Sequence, residues 1–316
     1  MKNILIVGAG GQIGTELVPH LQKLYGEDHV VASDIKSELC KKLSTLAITE
    51  HLDVLDVQAY AHIVKKYRID SIFNLVALLS TTGENNPQLA WQINMGALLN
   101  SLELARENDC ALFTPSSIAV FGNETPHQNT PQDTLMRPST VYGVCKVTGE
   151  LLSDYYHTRF GVDTRSVRFP GIISHGALPG GGTTDYAVEM FYGAIKTKRF
   201  TCPVPADSYL DMLYMPDTVK ACSQLMEADP DKLIHRNSFN VTAMSFSPAD
   251  LYADIKKRIP DFEMDYQINP MMKAIAASWP DFMDDSCARN EWGWNPVWDR
   301  QKMVDDMLEV LSAKLS

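Results

Sequence analysis

The chain has 316 residues, with 28 Lys and Arg against 39 Asp and Glu, a formal net charge of −11. That acidity argues against an electrostatic grip on nucleic acid or on an anionic membrane surface. Hydrophobic content of 45% and charged content of 21% describe an ordinary globular chain, long enough to bury a sizeable core. Six cysteines (Cys40, Cys110, Cys145, Cys202, Cys222 and Cys287) are dispersed without a Cys-x-x-Cys pair, which predicts reduced thiols. The histidines show neither His-x-x-x-His nor His-Glu-x-x-His spacing, so no metal site is predicted.

After Met-Lys-Asn comes Ile4-Leu5-Ile6-Val7, too short for a signal-peptide core or a membrane span. It reads as a buried first strand, and the expectation is a cytoplasmic protein without a targeting segment. Gly8, Gly11, Gln12, Ile13 and Gly14 follow at once and open an amphipathic stretch, Ile13–Leu24. A glycine-rich turn from strand to helix lets backbone N–H groups approach a pyrophosphate at the positive helix end. The next strand, Val30–Ala32, leads to Asp34, 20 residues after Gly14. A carboxylate there can bind a ribose 2′-hydroxyl and would repel a 2′-phosphate, which favours NAD over NADP; Lys36 stands close by.

Helix-like Tyr60–Tyr67, strand-like Ile72–Val76, helix-like Pro87–Arg106 and strand-like Ala111–Phe113 continue the alternation. A second long helix is expected over Ser139–Phe160. Repeated β-α order predicts a doubly wound α/β architecture, a parallel-sheet Rossmann fold with right-handed crossovers. Beyond Phe169 the chain is punctuated by Pro170-Gly171, Pro179-Gly-Gly-Gly182 and Cys202-Pro-Val-Pro205, with helices expected over Asp217–Glu227, Pro248–Arg258 and Arg300–Leu315. The expected division is a nucleotide-binding domain over 1–170, regained around 203–234, and a smaller, mainly substrate-binding region over 171–316.

Tyr142 and Lys146 form a Tyr-x-x-x-Lys pair, 25 residues after Ser117. The pattern is weak alone, since Tyr192–Lys196 and Tyr252–Lys256 match it and four-residue spacing puts both side chains on one helix face. Only Tyr142 follows a strand-end serine. Removing a proton from an alcohol needs a base at hydrogen-bond distance, and a free tyrosine with a pKa of about 10 is a poor one. A nearby ammonium favours the phenolate; a shift of about 3 units needs about 4 kcal/mol. Ser117 would orient the reacting oxygen. Cys145, inside the motif, reads as packing.

The Gly-x-x-Gly-x-x-Gly turn with this Ser-Tyr-Lys set resembles the short-chain dehydrogenase/reductase superfamily. That resemblance implies adenine contacts at Asp53-Val54 and a cofactor-lining turn at Asn74-Leu75-Val76-Ala77. It also implies a supporting role for Asn94, whose amide could equally cap or sit in the core. Ser-Ser117-Ile-Ala-Val-Phe-Gly122 and the 25-residue gap resemble the extended, UDP-galactose-epimerase-like branch. Its nucleotide-sugar members carry an Asn where this chain has Pro170. Gly180-Gly-Gly-Thr183-Thr184-Asp185, Leu79-Ser80-Thr-Thr-Gly-Glu84, Ser278-Trp279-Pro280 and Asp284–Trp292 are similar to the short-chain type of L-threonine 3-dehydrogenases.

The resemblance implies NAD-linked oxidation of the L-threonine C3 hydroxyl to 2-amino-3-oxobutanoate, with Tyr142 as base, and a homodimer built on the two long helices. A nucleotide-sugar epimerase or dehydratase is the alternative, and a catalytically silent nucleotide sensor a third reading. Ser80, Thr183 and Thr184 can offer hydroxyls to a substrate carboxylate and the three glycines N–H groups. The same glycines read equally as a loop or a closing lid, while Asp185 would face an ammonium or cap the following helix. Trp279 reads as core packing.

Overall fold

The computed structural model describes residues 1–36, 38, 47–178 and 180–315. Cys40 and Pro179 lie outside the described residues. The first half alternates as expected: β1 (Ile4–Val7), α1 (Gly14–Tyr25), β2 (Val30–Asp34), β3 (Ile48–His51), α2 (Val57–Lys66), β4 (Ser71–Asn74), a short α3 (Ser80–Asn85), α4 (Pro87–Asn108), β5 (Ala111–Phe113), β6 (Ser116–Ser117), α5 (Val141–Phe160) and β7 (Thr164–Phe169). With β11 (Asn237–Asn240), the strand order in the large sheet is β11-β7-β5-β4-β1-β2-β3, with β6 beside β7 and every pairing parallel. β1 and β2 are buried along their whole length, as strands covered by helices on both faces must be. Val18, Leu21, Val219 and Leu225 fill one side of the sheet; Tyr60, Leu98, Leu102 and Tyr156 fill the other. This is the Rossmann-like doubly wound fold.

Several boundaries move for local reasons. β4 stops at Asn74, short of the expected Val76, because the Asn74 side chain turns back to accept from the Val76 N–H at 3.2 Å. α2 starts three residues before Tyr60, at Val57, because Asp56 caps it through the N–H groups of Gln58 and Ala59. α5 starts at Val141, after Thr140 accepts from the Gly143 N–H at 3.1 Å.

After β7 the chain leaves the large sheet. β8 (Gly171–Ile173), β10 (Leu210–Tyr214) and β12 (Met244–Phe246) make a three-stranded sheet in the order β12-β10-β8. α6 (Tyr186–Lys196), β9 (Arg199–Cys202), α8 (Pro248–Arg258), β13 (Glu263–Tyr266), α9 (Pro270–Ala276) and α11 (Arg300–Leu315) complete this region around a core that includes Phe191, Tyr214, Phe246, Phe262 and Met307, while α10 (Ser286–Trp292) packs through Ala288 and Trp292 on the core of the large sheet. Trp279 belongs to the first of these cores. The chain returns to the large sheet with α7 (Met215–Glu227), which packs on β7, and with β11 (Asn237–Asn240), which pairs with β7.

Candidate active site

All the parallel strands point their C-terminal ends to one edge, and the glycine turn, Asp34, Asp53, Leu75, Ala77 and Ser117 follow those ends. The turn is held by the Gly8 and Ala9 N–H groups, both donating to the Ser33 carbonyl at 2.9 Å. Gly14 marks a close approach: a Cβ there would lie 2.5 Å from the Ala9 carbonyl oxygen. Only glycine lets α1 start this close to the turn. Asp34 is buried, and its carboxylate accepts from the Gly10 N–H at 3.0 Å and the Lys36 N–H at 2.9 Å. These bonds fix the carboxylate at the end of β2, the position from which an acidic side chain meets a ribose diol. The Gln12 amide donates to Ile172 O at 3.4 Å and Ser174 Oγ at 3.3 Å, tying the turn to the strand that leaves the sheet.

Asp53 stands exposed beyond β3, its carboxylate accepting from the Leu55 N–H at 2.9 Å, and Val54 is buried next to it. Leu75 and Ala77 line the turn after β4, where the Leu75 N–H donates to Val7 O at 2.9 Å. A dinucleotide fits these residues: a glycine turn at a helix start, a carboxylate at the end of the second strand and an apolar wall.

Tyr142 is buried on α5, and Ser117 is the group that draws its hydroxyl pKa downward. Lys146 lies over the ring, Nζ 5.4 Å from the centroid, and donates to the Pro115 carbonyl at 2.5 Å. Burial pushes the Tyr142 hydroxyl up to about 12, against which Ser117 works; burial also pulls Lys146 down to about 8, against Cys145 and Glu150. Asn94, on α4, accepts from the Leu78 N–H at 2.8 Å and donates to Leu78 O at 3.1 Å, and it lowers the Cys145 thiol pKa against the rise that burial causes. The two bonds to Leu78 pin the turn after β4 to α4. Gly143 was not singled out from the sequence, yet a Cβ there would lie 2.2 Å from the Ala119 carbonyl oxygen. It lets α5 press onto the segment that carries Ser117.

The other predicted residues gather at the glycine loop. Ser80 Oγ and Thr183 Oγ1, both buried, are 3.2 Å apart and join the start of α3 to the loop. Thr184 is half-buried against Gly171. Asp185 does not cap α6; one of its oxygens accepts from the Gly181 N–H at 2.8 Å and the Gly182 N–H at 2.7 Å. Those two donors are thus engaged within the loop. Burial pushes the Asp185 carboxyl up to about 6 despite both bonds. α3, which the sequence did not signal, bridges the two groups: Ser80 touches the loop, and Glu84 accepts from the Val141 N–H at 2.8 Å beside Tyr142. Elsewhere His235, Cys287 and Glu291 bring ligand-type atoms within 4.8 Å of one another, which no spacing in the sequence signals. Glu291 is engaged there by the N–H groups of Ile234 and His235 and by the His235 ring.

No helix among the described residues is long and apolar enough to cross a membrane. A solved L-threonine dehydrogenase from Clostridium difficile is 52% identical, with a TM-score of 0.96 over 99% of this chain and 98% of that one. A monomeric L-threonine 3-dehydrogenase from a metagenome is 40% identical, with a TM-score of 0.95 over 99% and 100%. An uncharacterized epimerase/dehydratase of Staphylococcus haemolyticus is 50% identical over 99% of both chains. The family model described as NAD dependent epimerase/dehydratase matches residues 4–242. The chain is an enzyme of the NAD dependent epimerase/dehydratase family, and its cofactor is NAD.

Proposed function

We propose that this enzyme oxidises the C3 hydroxyl of L-threonine to 2-amino-3-oxobutanoate, with Tyr142 as general base. The observation that carries the reading is the buried Tyr142 hydroxyl, which Ser117 favours in its charged form, with Lys146 Nζ 5.4 Å from the centroid of the same ring. Full-length likeness to L-threonine dehydrogenases supports the substrate. When bound, NAD supplies the hydride acceptor. Tyr142 takes the hydroxyl proton, Ser117 holds the oxygen in line and Lys146 stabilises the phenolate that the base requires. Gly8, Gly11, Gln12, Ile13 and Gly14 would face the pyrophosphate and Asp34 the adenosine ribose. Asp53, Val54, Leu75 and Ala77 would line the base and the remaining cofactor wall, and Asn94 would support Lys146.

On the substrate side, Ser80, Thr183 and Thr184 would serve the carboxylate and Asp185 the ammonium. The large sheet would thus carry the cofactor and the region after about residue 170 the amino acid. The described cysteines are free thiols, which supports a reducing, cytoplasmic setting, and the protein would work as a homodimer.

Purified protein given NAD and L-threonine should accumulate NADH, read by its absorbance, and Tyr142→Phe should lower turnover by about a hundredfold or more. Absence of NADH at every pH tried would sink the reading. An epimerase or dehydratase would return the hydride to its product and leave no net NADH. Near-normal turnover in Tyr142→Phe would move the base elsewhere.

A further inference from the structure

One buried cluster next to this site has no part in the chemistry above. Glu150 lies one helical turn beyond Lys146 on α5, so the two side chains share a face. Its carboxylate is buried and fixed from three directions. Arg168 on β7 donates from Nε to Oε1 at 2.9 Å and from Nη2 to Oε2 at 2.8 Å, and Ser116 Oγ donates to Oε1 at 2.5 Å. Arg168 is itself held, with Nη1 donating to Gln132 O at 2.8 Å and Asn240 Oδ1 at 3.2 Å.

Lys146 and Glu150 both line a cavity of about 30 Å³, which is closed further by Asn94, Thr114, Ser153 and Ser166. That exceeds the roughly 10–15 Å³ that a single water needs. Thr114 Oγ1 and Ser166 Oγ are buried in its wall, without a hydrogen-bond partner among the described residues. Two such hydroxyls, a carboxylate and an ammonium around one small space are the partners an ordered water needs.

A buried ion pair is a poor source of stability, so its placement calls for another account. Tyr142, Cys145 and Glu150 face Lys146 from its own helix, while α4 offers the neutral Asn94 and the strand ends offer Asn74 and Ser116. Arg168 arrives already bound to Glu150. Among these groups Glu150 is the carboxylate, and with Cys145 it offsets part of the cost of burying the Lys146 charge. We propose that Glu150 is a positioning residue: fixed by Arg168 and Ser116, it acts through one water in this cavity to hold Lys146 as an ammonium at Tyr142. This rests on the roles given above to Tyr142 and Lys146.

In Glu150→Gln, the alkaline limb of kcat/KM should move to lower pH by about one unit or more, the size of a lost opposite charge at close range. The Lys146 titration, followed without substrate or cofactor through the Cε resonance of labelled lysine, should fall from about 8 by a similar amount. Glu150→Asp keeps the charge and should restore part of both shifts. Where the single change does not fold, Glu150→Asp is read in its place: its carboxylate, set back by one methylene, should move both quantities downward by a smaller amount. An unmoved limb and an unmoved lysine titration in a folded variant overturn the proposal. So does an equal loss of rate at every pH, the mark of a merely structural pair. Near-normal turnover in Tyr142→Phe would overturn the underlying assignment instead, so the two failures are distinct.

Discussion

Asp185 turns its carboxylate back onto the loop that precedes it, and burial makes that arrangement depend on pH. Its folded pKa of about 6 lies above the ordinary value of 3.8. Between those values the folded state binds more protons than the unfolded one, so stability falls as pH rises. The contribution is fully present below about pH 4 and is lost as the pH passes through about 6, at most about 3 kcal/mol. Asp185→Asn keeps an acceptor for the Gly181 and Gly182 N–H groups and carries no charge. Denaturant unfolding should therefore find the variant more stable than the parent at pH 7, by about 1–2 kcal/mol, and the two close at pH 4. If Asp185 also meets the substrate ammonium, KM for threonine should rise in the same variant. A stability gap that stays constant from pH 4 to 7 would remove the argument. At this scale the sequence was legible only in part. Lys196 lies 5.5 Å from the Tyr192 ring centroid and Lys256 5.4 Å from that of Tyr252, against 5.4 Å for Lys146 and Tyr142. Helical spacing alone produces this geometry three times. The strand-end Ser117 upstream set Tyr142 apart in the sequence, whereas its burial depends on chain far away and was not legible there.

At the scale of elements, the site depends on how closely α5 docks against the segment Ser117–Val120. The Gly143 Cα sits where any Cβ would meet the Ala119 carbonyl at 2.2 Å and the Pro138 Cβ at 2.5 Å. Gly143→Ala must push the helix away, at a cost of about 1–3 kcal/mol for overpacking. A shift approaching 1 Å between Ser117 and Tyr142 would lower kcat by about a hundredfold. Thermal unfolding and steady-state kinetics of this variant test both, and near-parental values in the two would show that the helix can yield. Nothing marks Gly143 in the sequence, because the atoms it avoids belong to another segment. Strands such as Ile4–Val7 and Ala111–Phe113 are legible because burial on both faces demands unbroken apolar runs. The later strands were not: β13 reads Glu-Met-Asp-Tyr and is largely exposed, while β8 and β12 have three residues each. α3, six residues long and entered without a side-chain cap, gives no periodic signal either.

For the whole molecule, the large sheet is completed only by α7 and β11, after the chain has already built β8 to β10 elsewhere. Interleaving of this kind has no local signature, so the sequence yields a fold class more readily than a boundary. The folded molecule, in contrast, shows apolar surface beyond the needs of the core, which the sequence does not separate from faces buried on the sheet. On α4, Leu89, Trp91 and Leu99 are exposed; on α5, which packs against it, Val144, Leu151, Tyr155 and Phe160 are exposed. Val144, Leu151 and Tyr155 are seven and four residues apart, the spacing of one helix face, and that face turns away from the sheet. Two long helices presenting such a surface suit a two-fold contact with a second copy, in which each pair of helices packs on its mate. Sedimentation at about 10 μM should give twice the mass of the chain, since interfaces of this kind bury roughly 1,200–2,000 Å². Leu151→Glu with Tyr155→Glu places carboxylates on both sides of the contact and should give a folded monomer, because neither side chain belongs to the buried core. A parent protein already sedimenting at the mass of one chain, or a double variant that remains dimeric, would put the contact elsewhere or abolish it.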